Sequence, residues 1–248
     1  MSALIGSSGF VGGHLQKSFE FTHTFNRANI SKIRGLETDL LICAGLPAEK
    51  WKANKDPESD WWNMASLAQN LSFVAAQKAI LISTIDVYQP AIDVTEDDAP
   101  NYIGEDAYGR NRAWFETFFT KKFQNTLIIR LPGLFASDLR KNLIFDLING
   151  RSDQLDQVNK DSIYQFFNVS KIWDVLNICI NNQLTLLNLA TEPVTAQEIA
   201  ELFNVQLNAT GSKVRYNMRS IHAETFKGRV PYIQSKEQIL REISSLKS

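Results

Sequence analysis

An apolar run, Ala3-Leu4-Ile5, passes straight into Gly6-Ser7-Ser8-Gly9-Phe10-Val11-Gly12. A strand that ends in glycines and turns into a helix leaves bare backbone N–H groups at the helix start. The first turn has no internal partners for them, and the aligned peptide dipoles add a partial positive charge. Such an end cradles a phosphate. Gly6 suits a tight turn, Gly9 lets a pyrophosphate approach the backbone, and Gly12 lets the helix pack closely on the sheet. The spacing is G-x-x-G-x-x-G rather than the G-x-G-x-x-G of the standard dinucleotide fingerprint. The plain alternative is a glycine turn with no ligand. Three glycines within seven residues, at the head of an α/β-patterned chain, argue against it.

The rest of the first half alternates in the same way. Strands are predicted at 3–5, 21–25, 40–44, 79–83 and 126–131, with helices at 10–19, 57–77 and 107–123. Short apolar strands separated by amphipathic helices predict a Rossmann-like α/β fold, a doubly wound parallel sheet covered on both faces. The interval 27–39 has room for a short helix or a strand, hardly both. Beyond Leu131 the pattern loosens: helix at 139–147, extended chain at 163–169, helix at 171–181, strand at 184–190, strand at 213–218 and a closing helix at 235–246. Thr195 with Glu198 three residues on is a capping box for a helix at 195–203. We expect a nucleotide-binding domain over 1–132 and a smaller C-terminal substrate lobe over 133–248, partly integrated with the same sheet.

Composition excludes several function classes. The net charge of −1 carries no electrostatic footprint for nucleic acid or an anionic membrane. No apolar run approaches the roughly 18–20 residues that span a bilayer, so no membrane partner is expected. No leader is visible ahead of the first strand, and a cytoplasmic location is expected. Cys43 and Cys179 lie far apart in apolar runs and read as buried thiols in a reducing compartment. His14, His23 and His222 are isolated, so no metal site is expected. Trp51, Trp61 and Trp62 are read as core or loop packing, and Glu96-Asp97-Asp98 as a solvated turn.

Further segments fall in the order found in extended-type short-chain dehydrogenase/reductases, the NAD(P)-dependent epimerase/dehydratase-like family. Gly6-x-x-Gly9-x-x-Gly12 resembles that family's cofactor loop, and Cys43-Ala44-Gly45 its small residues beside the cofactor. Leu81-Ile82-Ser83-Thr84-Ile85-Asp86-Val87-Tyr88 resembles the "SS-x-x-VY" strand end. Tyr108-Gly109-Arg110-Asn111-Arg112, followed by Glu116, resembles the Y-G-x-x-K-x-x-x-E helix with arginine in the lysine place. Arg130-Leu131-Pro132-Gly133-Leu134-Phe135 resembles the R-x-P-G turn over the nicotinamide. The resemblance is good over about the first 135 residues and loose beyond, through 164–169.

The resemblance implies an enzyme that transfers a hydride at a hydroxyl/keto carbon of a sugar or nucleotide-sugar, as reductase or epimerase. Tyr108 is the implied acid/base and Thr84 the hydroxyl that holds the substrate oxygen; Ser83 lies on the opposite strand face. A tyrosine with an ordinary pKa near 10 needs a cation to bring it toward neutrality. Position 112, one helical turn on, supplies it. Arginine keeps the charge but not the shape of a lysine, and it is a poor proton relay. In the family that cation also holds the nicotinamide ribose.

Gly6, Ser8, Gly9, Phe10, Val11, Gly12, Cys43, Ala44, Gly45, Tyr108, Arg112, Pro132 and Leu134 are the implied cofactor contacts. Asn26-Arg27 follow the second strand where NAD binders carry an acid; an arginine there suits a 2′-phosphate, which favours NADP over NAD. Asp86, Gln165 and Asn168 are candidate substrate contacts along with Ser83. Related folds pair through the two long helices, so a homodimer is one expectation. The rival reading is a catalytically impaired NAD(P)-binding regulatory or scaffold protein, with Arg112 as the mark of lost turnover.

Overall fold

The computed structural model describes residues 1–247. Contacts divide the chain into two units: residues 1–89, 98–130 and 171–187 form the first, and 90–97, 131–170 and 188–248 the second.

The first unit opens with β1 (Ser2–Ile5), α1 (Phe10–Ser18), β2 (His23–Phe25), β3 (Glu37–Cys43), α2 (Lys50–Lys55), α3 (Pro57–Leu71) and β4 (Ala75–Thr84). The short β5 (Ile92–Val94) belongs to the second unit, and α4 (Ala107–Lys122) and β6 (Thr126–Leu131) then follow. The second unit continues with β7 (Gly133–Phe135), α5 (Leu143–Ile148), α6 (Ser152–Leu155), β8 (Ile163–Tyr164) and β9 (Phe166–Asn168). After α7 (Ile172–Asn181) and β10 (Leu186–Asn188) come β11 (Val194–Thr195), α8 (Ala196–Leu202), β12 (Asn217–Met218) and α9 (Lys236–Ser244).

The main sheet has six strands in the order β10-β6-β4-β3-β1-β2. β1 pairs in parallel with β2 on one side (Ile5 opposite Phe25) and β3 on the other (Ile5 opposite Cys43). The chain therefore reverses its direction of travel across the sheet at β1. In open α/β sheets the crevice beyond the strand ends at such a switch point is where ligands bind. The glycine loop stands there.

Three elements are shorter than the sequence reading, and for two the cause is visible. The helix expected over 57–77 ends at Leu71, because Ala75 and Ala76 extend β4 opposite Glu37 and Thr38. The interval 27–39 does hold a short helix, the 3-10 turn Ile30–Ile33, which drops Ile33 into the core before β3 begins. The helix expected from 139 starts at Leu143, since Asn142 accepts from the Ile144 and Phe145 amides and caps it. The strand expected over 213–218 shrinks to Asn217–Met218.

In the first unit α4 places Phe115 and Phe119 on one face against Leu41, Cys43, Leu71 and Leu81. The second unit has its own core, built from Leu143, Ile144 and Leu147 of α5, Ile199 of α8 and Ile239 and Ile243 of α9. The capping box at Thr195 and Glu198 forms as expected, and Ser235 and Gln238 make another ahead of α9. Glu96 is not a solvated turn residue: it accepts from the Asn188 amide, the Ser220 hydroxyl and the Ile221 amide. Cys43 and Cys179 are free and buried, and burial pushes both thiols up to about 12. No helix among the described residues is long and apolar enough to cross a membrane.

Candidate active site

The glycine loop is shaped by close contacts. Gly6 sits at φ +86°, and a Cβ there would meet the Ala44 carbonyl oxygen at 2.2 Å, so the turn after β1 lies directly on the chain leaving β3. A Cβ on Gly12 would meet the Gly6 oxygen at 2.1 Å, which fixes α1 hard against the loop. The Gly6 and Ser7 amides donate to the Phe25 carbonyl at 2.8 and 3.1 Å, tying the loop to the end of β2. Gly9 is the N-cap of α1 and no side chain caps the helix. Asn26 folds back on itself, its Oδ1 accepting from the Ala28 amide at 2.9 Å, and leaves Arg27 exposed.

At the far end of β4, Thr84 accepts from the Asp86 amide and donates to Asp86 Oδ2, both at 3.2 Å. Helix α4 rests on this turn at Gly109, where a Cβ would meet the Asp86 carbonyl oxygen at 1.8 Å. That approach brings the start of α4, and Tyr108 with it, onto the turn that follows Thr84. The α4 start is fixed by Asp106, which accepts from the Gly109 amide, and by Asn54, whose Oδ1 accepts from the Tyr108 amide at 3.0 Å.

Arg112 follows one turn on and is 1% exposed. It chelates Asp60 of α3 through Nη1 at 2.6 Å and Nη2 at 2.9 Å. Nη1 also donates to the Tyr108 carbonyl at 3.0 Å and Nη2 to the Pro47 carbonyl at 2.6 Å. Asn111 Nδ2 donates to the same Asp60 oxygen at 2.9 Å. The guanidinium carbon lies 3.8 Å from the centre of the Tyr108 ring. All its Nη hydrogens are thus engaged inside the protein, and none is left for a ribose hydroxyl.

Burial pushes the Tyr108 phenol above its ordinary pKa. Arg112, the Thr84 hydrogen bond and Lys50 oppose that shift, and Asp86 adds to it. The balance of these effects leaves the phenol a weaker acid than a free tyrosine.

Ser83 points the other way, into a buried network. Its hydroxyl donates to Glu116 Oε1 at 2.5 Å, and Arg130 binds both Glu116 oxygens, at 3.1 and 2.7 Å. Arg130 also donates to the Tyr88 hydroxyl. The matched Glu116 and Arg130 positions are thus an internal ion pair that braces β4, α4 and β6.

In the second unit Gln165 is 2% exposed and its amide is fully used. It donates to the Thr191 and Met218 carbonyls at 2.5 and 2.7 Å and accepts from the Met218 amide at 2.7 Å. Asn168 accepts from the Ser170 amide and hydroxyl, closing the turn that leads to α7. Pro132 is buried and Leu134 half-buried.

Sequence reasoning passed over Asp60, Lys50, Asn54 and Asp106. Asp60 carried a signal: it lies on the stripe Asp60, Met64, Leu67 and Leu71 that α3 buries. A carboxylate on such a stripe demands a cation. Of the tryptophans, Trp61 packs on Trp114 with ring centres 4.4 Å apart, whereas Trp51 and Trp62 are exposed and do not fit the packing reading.

No family model and no curated protein matches the sequence. Solved structures do. The dTDP-4-dehydrorhamnose reductase of Clostridium acetobutylicum matches with a TM-score of 0.74 at 17% identity, over 100% of this chain and 100% of that one. The Bacillus anthracis reductase of the same name, in complex with NADP, gives 0.74 at 15% identity over 99% and 96%. The Thermotoga maritima UDP-glucose 4-epimerase, with UDP-glucose, gives 0.72 at 11% identity over 99% and 98%. The chain shares their fold. The Rossmann-like α/β sheet expected from the glycine loop and the strand–helix alternation is thereby shown, and the match in fold runs the length of the chain.

Proposed function

We propose that the chain binds NADP, or alternatively NAD, on the Gly6–Gly12 loop. There it reduces or oxidises a hydroxyl/keto carbon of a sugar or nucleotide-sugar, as a reductase or epimerase. The observation that carries the proposal is Tyr108: a buried phenol at the start of α4, seated by Gly109 on the turn that follows Thr84 at the end of β4. The fold relatives, dTDP- and UDP-sugar enzymes described with NADP and with UDP-glucose, support the substrate and cofactor class.

The loop fits a dinucleotide. It stands at the switch point of the sheet, and its helix start is capped by no side chain, which leaves amides for a pyrophosphate. Ser8, Phe10 and Val11 would line it, with Ala44 and Gly45 across from Gly6. Asn26 and Arg27 would meet the adenosine ribose, Arg27 taking a 2′-phosphate. When bound, the nicotinamide supplies or accepts the hydride. Thr84 orients the substrate oxygen, and Tyr108 gives it a proton in reduction or takes one in oxidation. Arg112 acts on Tyr108 through its charge alone. Asp86, beside Thr84, is the candidate substrate contact, whereas the Ser83 hydroxyl is spent on Glu116 inside the first unit.

A second reading, a nucleotide-binding protein without turnover, is favoured by one observation: Asp60 neutralises Arg112 and the Tyr108 phenol stays high. A panel of keto-sugars with NADPH separates the two. Turnover that is lost in Tyr108→Phe with NADPH affinity unchanged supports the enzyme. NADPH binding with no turnover across the panel rejects it in favour of the second reading.

A further inference from the structure

Lys50 opens α2, and no sequence motif singles it out. Its Nζ lies 2.6 Å from Asp86 Oδ1 and 2.7 Å from Asp106 Oδ2. Both carboxylates are divided between two tasks. Asp86 gives its other oxygen to Thr84, and Asp106 gives its other oxygen to the Gly109 amide at the start of α4. One ammonium thus links the turn that carries Thr84 to the helix end that carries Tyr108. Gln89 reinforces the link, exchanging hydrogen bonds with the Asp106 backbone at 3.0 and 3.1 Å.

The charges around Tyr108 can be named element by element. Arg112 and Asp106 belong to its own helix and helix cap, Asp60 stands behind Arg112 on α3, Asp86 follows β4, and Lys50 comes from α2. Two cations thus face three carboxylates. The Arg112–Asp60 pair is locked, with side-chain exposures of 1% and 4%. Lys50 is 41% exposed and is the cation of the group that solvent and an arriving substrate can reach.

We propose that Lys50 is the positioning residue of this site: by gripping Asp86 and Asp106 together it holds Thr84 against Tyr108 and shields the phenol from both carboxylates. This rests on the reading of Tyr108 as the acid/base. It places the adjustable charge on α2 rather than one turn along α4.

The test is the ionisation of Tyr108 itself, read by fluorine NMR on protein labelled with fluorotyrosine, with Tyr108→Phe identifying the resonance. Lys50→Met exposes the phenol to two unneutralised carboxylates, so its titration moves to higher pH. Asp86→Asn removes one of those charges, so it moves to lower pH. Lys50→Arg keeps the charge and leaves the midpoint near that of the unaltered protein. Opposite shifts from two variants of one ion pair are not produced by loosened packing, and any of the three that folds is informative by itself. A midpoint unmoved in Lys50→Met, or shifts of the same sign in Lys50→Met and Asp86→Asn, overturns the proposal. The readout needs no substrate, so a failed search for turnover bears on the proposed function and leaves this result standing.

Discussion

Replacing Asp60 with alanine tests the most unusual feature of the site. The Arg112 guanidinium stays buried in such a variant, loses both chelating hydrogen bonds, and leaves Asn111 Nδ2 without its acceptor. Stranding one member of a buried ion pair costs about 3–5 kcal/mol. Counting the two lost charge-assisted bonds at about 1.5–3 kcal/mol each gives a similar range. At roughly 2–4 °C per kcal/mol for a chain of this size, the melting temperature should fall by about 6–20 °C. Urea unfolding followed by tryptophan fluorescence measures the free energy, since Trp61 follows Asp60 directly and packs on Trp114. The double variant Asp60→Leu with Arg112→Met removes both charges and should recover most of the loss, because a buried pair replaced by apolar groups is often neutral or better. A loss under about 1 kcal/mol in Asp60→Ala, typical of an exposed pair, would refute the reasoning. So would a double variant no more stable than the single.

Three other outcomes follow from the same structure. Glu116→Gln strands Arg130, 3% exposed, and should lower unfolding free energy by about 3–5 kcal/mol in the same urea assay; Ser83→Ala removes a single bond to that carboxylate and should cost less, about 1.5–3 kcal/mol. Arg27→Ala should weaken NADPH far more than NADH in a fluorescence titration, and equal losses would reject the 2′-phosphate role. Burial pushes the Glu198 carboxyl up, but hydrogen bonds from Lys236 and Thr195 hold it below its ordinary value. Its contribution is therefore present above the ordinary carboxylate range and lost as pH falls through the lowered value. Urea midpoints of Glu198→Gln should lie below those of the unaltered protein near neutrality and converge with them in acid.

Much of the fold is legible in the sequence because it is locally encoded. The 126–131 strand, the glycine turn and the Thr195 capping box depend on neighbours a few residues away, and each forms where the pattern places it. Local signals fail where a distant partner decides. Residues 75–77 read as helix until β3 offers them a ladder, and Glu96 reads as solvated until Asn188, Ser220 and Ile221 supply donors from far along the chain. The candidate site divides in the same way. Thr84 and Tyr108 stand out by motif order. Asp60, which fixes Arg112 across 52 positions, and Lys50, which reaches Asp86 across 36, emerge only once α2, α3 and α4 pack together. Arg112 illustrates the difference: its charge is visible in the sequence, but the engagement of both its Nη atoms by Asp60 and two carbonyls is not.

The central claim is that Tyr108 delivers a proton to a carbonyl oxygen held by Thr84 while a dinucleotide on the Gly6–Gly12 loop supplies hydride. Deuterated NADPH offered with a keto-sugar panel, and the products weighed by mass spectrometry, tests it most directly. The account predicts deuterium on the new carbinol carbon of a product and a rate about 10²–10⁴-fold lower in Tyr108→Phe, the usual worth of a general acid. Labelled product formed equally fast by Tyr108→Phe would contradict it.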